Sequence, residues 1–384
     1  MLPTKVHAES EGEDELPKND VTEEDVKEEM MDQLSLEEVN TFWLQFRDEY
    51  GAFFTEVPTK NLTDMIKDEG SISIKSIVKG LVQFLFYEIT TQAKLLGSLL
   101  MLTLFSIILQ AISSAFEKNS VSQVAYFVVF IVLIYVVLTS FYEVFAYAQE
   151  TISQLSHFMI ALLPLMLGLL ATFGQVMTVT FFHPVIVFLI HISGILMQSF
   201  IFPLLFLSAL LIIVSHMNDK YQATYLAELF KSISIGTLGI FITIFLGVIS
   251  VQGTATAVQD GVALKTTKFI TGNFIPVIGR SFTDAADTVL AAALLLKNSI
   301  GIVGLVIITC IAAFPALKIM VIALMYKLAA ALLQPLGKSP IILCLHIVSK
   351  YITYILACVI TVTFMFFLAI VLIVIASNIP FLLR

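Results

Sequence analysis

From residue 95 to the C-terminus the chain is one apolar run after another, with only short polar interruptions. Several runs exceed the roughly 20 residues that a helix needs to cross a hydrocarbon core about 30 Å thick. In lipid every backbone N–H and C=O must find a partner within the protein, so only helices and closed barrels can span. The runs are continuous and lack the apolar–polar alternation over about 10 residues that barrel strands require. The fold class that follows is all-α, a polytopic helical integral membrane protein. Composition agrees: 13% of residues are charged, against about 25% in soluble domains.

The charge is divided unevenly. Residues 1–94 carry a net charge of −12, although the whole chain carries only −8. Residues 1–33 form an acidic tail with the composition of a disordered segment; fourteen carboxylates between 9 and 38 face only Lys18 and Lys27. Residues 34–94 read as a small helical soluble region. Ser35 and Glu38 make a capping-box pattern, and Leu36, Val39, Trp43, Phe46 and Tyr50 lie near one helical face.

This region ends in an amphipathic stretch. Ile74, Ile77, Val78, Leu81, Val82, Leu85 and Ile89 share a face, opposite Lys75, Lys79, Gln83 and Tyr87. Such a helix lies in the membrane interface with its lysines among the headgroups; the alternative is the packing face of the soluble region. Val6-His7-Ala8 resembles the end of a secretory signal but lacks the charged and apolar regions that precede one. Either the true start lies upstream or the resemblance is chance. The first case places the acidic region outside the cytoplasm.

Residues 95–384 make up the multi-span domain. Spans are expected at 95–115, 123–146, 158–180, 184–215, 232–251, 299–317, 319–333 and 341–376. Pro164 and Gly174 interrupt the third. The fourth is too long for one straight span and reads as two segments meeting near 198–203; the last is also too long. The expectation is about seven to nine spans, some broken or re-entrant. If the N-terminus is outside and 184–215 is a hairpin, Lys220 and Lys231 fall in the cytoplasm, as the positive-inside tendency requires. That arrangement puts residues 252–298 outside, against the rule.

Residues 252–298 are a semi-polar island, read either as an extramembrane loop or as irregular backbone lining a polar cavity. Within it Arg280 and Asp284 are spaced i, i+4, Asp287 follows, and Ser281 with Asp284 can cap a helix running to 298. Residues 265–279, with Lys265, Lys268, Asn273 and Pro276, break the helical pattern through Gly and Pro spacing and suggest irregular backbone near a conduit. Two further lysines, Lys318 and Lys327, fall within or between apolar runs. Charges at membrane depth are costly and mark pathways, whereas lysines near a helix end snorkel to the headgroups. These nine residues are the candidates for conduit or assembly roles.

No catalytic or cofactor motif is present: there is no His-Glu-x-x-His, Gly-x-Ser-x-Gly or phosphate-binding glycine loop. Cys310, Cys344 and Cys358 sit in apolar segments without ligand spacing and read as buried small hydrophobes. The expectation is a protein that is not an enzyme and has no cofactor, no metal and no nucleic-acid partner.

Several stretches are similar to one known family, the stage III sporulation protein AE family of endospore-forming Firmicutes. They are LLPLMLGLLATFGQV at 162–176, FFHPVIVFLIHISGILMQ at 181–198, FPLLFLSALLIIVS at 202–215, FLGVISVQG at 245–253 and DGVALKTTKFITGNFIPVIGRSFTDAADTV at 260–289. The resemblance covers about residues 95–384. It carries no catalytic residue over. Members of this family begin with a signal-like apolar segment, which favours the upstream-start explanation here. The resemblance implies a multi-pass subunit of a channel or secretion-like complex linking mother cell and forespore after engulfment. It would sit in the mother-cell (outer forespore) membrane with other stage III sporulation operon proteins and a forespore membrane partner. A stand-alone permease of a small solute and a purely structural scaffold remain the alternatives.

Overall fold

The structure, a computed structural model, describes residues 27, 31, 36–54, 62–67, 74–115, 120–172, 175–217, 223–274, 278–337 and 339–382. Among them there is no strand. Two short helices come first: α1 (Glu37–Tyr50), followed by a 3-10 turn at Gly51–Phe53, and α2 (Leu62–Lys67). Then come α3 (Ile74–Ala115), α4 (Ser120–Thr172), α5 (Val176–Ile195), a π-helical turn (Leu196–Ile201), α6 (Phe202–Met217), α7 (Thr224–Phe274), α8 (Ile278–Leu333) and α9 (Pro340–Leu382). The long helices have short connections, so successive rods run antiparallel. Gly337, at φ 131°, makes the turn between α8 and α9 in a backbone region that favours glycine.

Six stretches among the described residues are long and apolar enough to cross a membrane: Lys75–Ile112, Val128–Thr172, Val179–His216, Thr224–Gln252, Ala291–Leu336 and Pro340–Ile375. The all-α, multi-span class stands, with fewer and longer rods than the seven to nine segments expected. Residues 147–157 are helical within α4, which joins 123–146 to the part of 158–180 up to Thr172, and Pro315 lies inside α8, which joins 299–317 to 319–333. The polar residues of 147–157 lower hydropathy, but the stretch contains no glycine or proline to stop a helix. From Ile74 the amphipathic stretch likewise continues without a break into the first span as α3.

Residues 176–217 form one rod and not a hairpin. Ser208 bonds to Ala227 near one end of α7, and Gln252 donates to the Phe181 carbonyl at 2.7 Å near the other. Thus α7 runs antiparallel to the whole of α5 and α6. The break expected near 198–203 is present as the π-helical turn, with Pro203 just beyond it. The Ser208 hydroxyl gives its single proton to the Ala227 carbonyl, so the Tyr351 hydroxyl, 2.6 Å away, donates to Ser208. One buried serine thereby ties α6, α7 and α9 together.

The centre of the bundle is α8, α9 and α4. The stretch within Ala291–Leu336 is the most buried of the six. Gly301 and Gly304 allow this close approach: a Cβ on Gly304 would lie 2.7 Å from Leu162 Cδ2, and one on Gly301 2.6 Å from Val374 Cγ2. Alanine at Gly304 should therefore destabilise the bundle by about 1–3 kcal/mol through overpacking, despite its better helix propensity. Thermal unfolding of the full chain in detergent checks this; an unchanged midpoint would contradict the packing described.

Candidate functional site

The N-terminal region is docked on the side of the bundle. On α1 the predicted face is the buried one, with Val39, Trp43 and Phe46 inward. Its first helical residue is Glu37 and its N-cap Leu36 has no side-chain cap; Ser35 lies outside the described residues. The Phe42 ring meets Phe158 of α4 at 5.6 Å, and Phe46 and Tyr50 meet Phe314 of α8 at 5.5 and 4.3 Å. Phe54 and Phe84 complete the ring cluster around Phe314, at 5.6 and 4.9 Å. Burial, and then the adjacent Glu49 carboxylate, push the Tyr50 phenol well above its ordinary range. It stays uncharged within the cluster.

This docking gives the bundle two unlike flanks at one height. Around α1 the outward residues include many charged ones, Glu37, Glu38, Asp48 and Glu49 on α1, Lys75 and Lys79 on α3, and Glu143, Glu150 and His157 on α4, beside the exposed Phe86 and Tyr87 of α3 and Tyr142 of α4. On α3 the inner face is Ile77, Gly80, Leu81, Phe84 and Glu88, while Val78 and Val82 are exposed. The far flank is formed by α7 and by α9, which packs between α7 and α8. Val374 approaches Gly301 and Ser349 donates to the Ala323 carbonyl, which sets α9 antiparallel to α8 and brings residue 360 level with Phe314. The Phe245–Phe366 ring pair then brings Ile240 to that same level. Ile240 is 65% exposed and Ile360 53%, with Ile244 and Phe364 also outward.

A second feature lies at the end of the bundle where α8 begins its apolar run. Lys297 is fully buried, and its ammonium donates to Asn378 Oδ1 of α9 at 2.7 Å. Asp260 of α7 and Gln175 before α5 are buried as well. Lys297 was not singled out from sequence, because a single lysine beside Asn298 reads as the polar edge of a span. The missed signal is its place among small and apolar residues on α8, with Ala292, Ala293, Leu296 and Ile300 also buried.

The expected conduit residues are only partly brought together. Lys265, Lys268 and Asn273 are on α7, and Arg280, Asp284 and Asp287 are on α8, so these two helices form a hairpin. Their side chains, and Pro276 altogether, lie outside the described residues. The backbone at 265–274 is α-helical and α8 already begins at Ile278, which corrects the expectation of irregular backbone there and leaves only 275–277 between two helices. Lys318 is half-buried, with its ammonium 3.8 Å from the centre of the Tyr147 ring, a cation–π contact between α8 and α4. Lys327 is exposed on the surface of α8. Cys310, Cys344 and Cys358 are free and buried, as expected. No cluster able to hold a metal occurs among the described residues.

Comparison with known proteins bears directly on this arrangement. The family described as Stage III sporulation protein AE (spore_III_AE) matches residues 58–377, which take in every long helix. The chain is also 48% identical over 363 residues to a protein of Bacillus subtilis (strain 168) named "Stage III sporulation protein AE", covering 94% of this chain and 91% of the relative. No solved structure matches it. With most of its length matched by both, this multi-pass membrane protein belongs to the stage III sporulation protein AE family.

Proposed function

We propose that the chain is a multi-pass membrane subunit of a multi-protein complex acting in sporulation, a channel or secretion-like assembly linking mother cell and forespore after engulfment. The role in sporulation is supported by the family and by the name of the B. subtilis relative. The observation that carries the assembly is the pair of unlike flanks at the height of Phe314. A bilayer is planar. If that height lies in hydrocarbon, the carboxylates of α1 and α4 are excluded from lipid by their cost, and neighbouring chains must enclose them around water. If it lies outside, Ile240, Ile244, Ile360 and Phe364 form an apolar surface that protein must cover. Both placements favour enclosure by other chains. A self-contained permease would not present such a mismatch to lipid.

On this reading the chain works without a cofactor and is not an enzyme. Its partners are other stage III sporulation operon proteins and a membrane protein of the forespore, and its site is the outer forespore membrane, with the N-terminal region outside the cytoplasm. The test is a tagged copy expressed in sporulating B. subtilis that lacks its own relative. Sporulation membrane proteins should co-purify in fixed ratio, and the purified chain alone in liposomes should pass no solute. Recovery of the chain alone, together with solute flux in liposomes, would overturn the proposal in favour of a permease.

A further inference from the structure

Charge-free runs begin at one height on two neighbouring helices. No charged residue occurs on α7 between Lys231 and Asp260, or on α9 after Lys350. The Phe245–Phe366 ring pair on these parallel helices sets Lys231 level with Ile352, within two residues of Lys350. A hydrocarbon core takes about 20 residues of helix, and counted from Lys231 that distance ends at Gln252. Lys231 and Lys350 therefore stand at the headgroup level, with the half-buried Tyr354 beside Lys350 where interfacial tyrosines gather.

At this height the seam between α8 and α9 is open on one side. Ser349 donates to the Ala323 carbonyl, so both residues face the seam and His346 comes level with Tyr326. Viewed from the α7–α8 turn, α8 runs away and its residues turn clockwise, while α9 approaches and its residues turn the other way. Lys327, four residues after Ala323, leaves the seam by about 40°. His346 and Lys350 leave it by about 60° and 100°, toward the same side. The opposite side is covered by α4, which packs on both helices. Lys318, nine residues before Lys327 and so on the other face of α8, sits over Tyr147 of α4.

Lys327, His346 and Lys350 are exposed, and none of the three side chains has a hydrogen-bond or ion-pair partner among the described residues. Side chains lean toward the N-terminus of their helix. On these antiparallel helices that carries Lys327 and Lys350 toward each other. Glu143 of α4 lies across the seam, and Glu228 of α7 forms no ion pair with them. The open strip continues into the hydrocarbon as apolar surface, with Met320 and Leu324 on α8 and Ala357, Ile360 and Phe364 on α9.

We propose that this strip binds an anionic phospholipid. Lys327, His346 and Lys350 hold the phosphate, and the acyl chains lie along the apolar residues above them. Lysine ammonium groups bind phosphate as point charges, and basic pockets between spanning helices suit anionic headgroups. A free phosphate would meet the same basic groups and leave the apolar strip unused.

The test places the full chain in phosphatidylcholine vesicles containing a minority of phosphatidylglycerol. The protein is extracted in mild detergent and its retained lipid counted by native mass spectrometry. Phosphatidylglycerol should be enriched over its share of the vesicle. Lys327→Gln with Lys350→Gln should cut the enrichment about 20-fold, from about fivefold per lysine near the surface. Arginine at both positions should keep it, which separates loss of charge from loss of fold. Lys75→Gln with Lys79→Gln, on the other flank, should leave it unchanged, and excess inorganic phosphate should not displace the lipid. No enrichment in the parent, equal enrichment in the glutamine pair, loss in the arginine pair or the Lys75/Lys79 pair, or displacement by phosphate would each overturn the proposal.

Discussion

Replacing Phe314 by alanine should cost about 3–5 kcal/mol of stability and free α1 from the bundle. The ring is fully buried and touches Phe46, Tyr50, Phe54 and Phe84, which come from α1, the turn after it and α3. Removing it opens a cavity that four surrounding rings cannot close, since each is held by the others. Aromatic pairs add about 0.5–1.5 kcal/mol beyond the area they bury, so several such terms are lost together. Leucine at 314 should cost less, because it keeps most of the volume. The measurement is thermal unfolding of the full chain in detergent, paired with protease sensitivity within 36–54. An alanine variant that melts as the parent and keeps α1 protected would contradict the docking described here.

Charging the far flank is the second large effect. Ile240→Asp with Ile244→Asp should remove the protein from the membrane fraction or leave it unable to support sporulation. If this surface faces lipid, each carboxylate costs about 2.5–3.5 kcal/mol near mid-bilayer. If it faces another chain, each becomes an unpaired buried charge at an interface, at about 2–5 kcal/mol. The outcome is severe in both cases. By contrast, Gln83→Glu on the exposed side of α3 should stay within about 0.5 kcal/mol of the parent, since this flank already carries Lys79 beside it. Membrane-fraction yield and spore counts in the B. subtilis host compare the two. Equal tolerance of both changes would remove the distinction between the flanks.

Much of the architecture was legible before the structure. Continuous apolar runs announced the helices, and the spacing of Val39, Trp43 and Phe46 gave the buried face of α1 correctly; the excess length of 184–215 was read as two segments, whereas 176–217 is one rod with a π-helical turn. The span boundaries were less legible, for a physical reason. Hydropathy reports which solvent a residue prefers, whereas helix continuity depends on the backbone. Glu150 and Gln154 interrupt an apolar run without interrupting α4, and Pro315 bends the reading without ending α8. On α3 the apolar stripe identified the helix but not its orientation: Phe84 turns inward because Phe314 is there to receive it, while Val78 and Val82 stay exposed.

The site was less legible still. Lys297 acquires meaning only when α8 and α9 are set side by side, which brings the Asn378 amide, 81 residues on in sequence, to its ammonium. The unlike flanks also depend on docking, because nothing local in α1 says that it seats against Phe158 and Phe314. Lys318, by contrast, could be named from its position alone, and its seat over Tyr147 is a structural contact between two helices.

The most direct test of the assembly is the mass of the particle taken from sporulating membranes in native lipid, without detergent. On the proposed reading the chain is enclosed by others, so the particle should contain several polypeptides and weigh several times the 42.4 kDa of one chain. A particle holding a single 42.4 kDa chain ringed only by lipid would contradict the account.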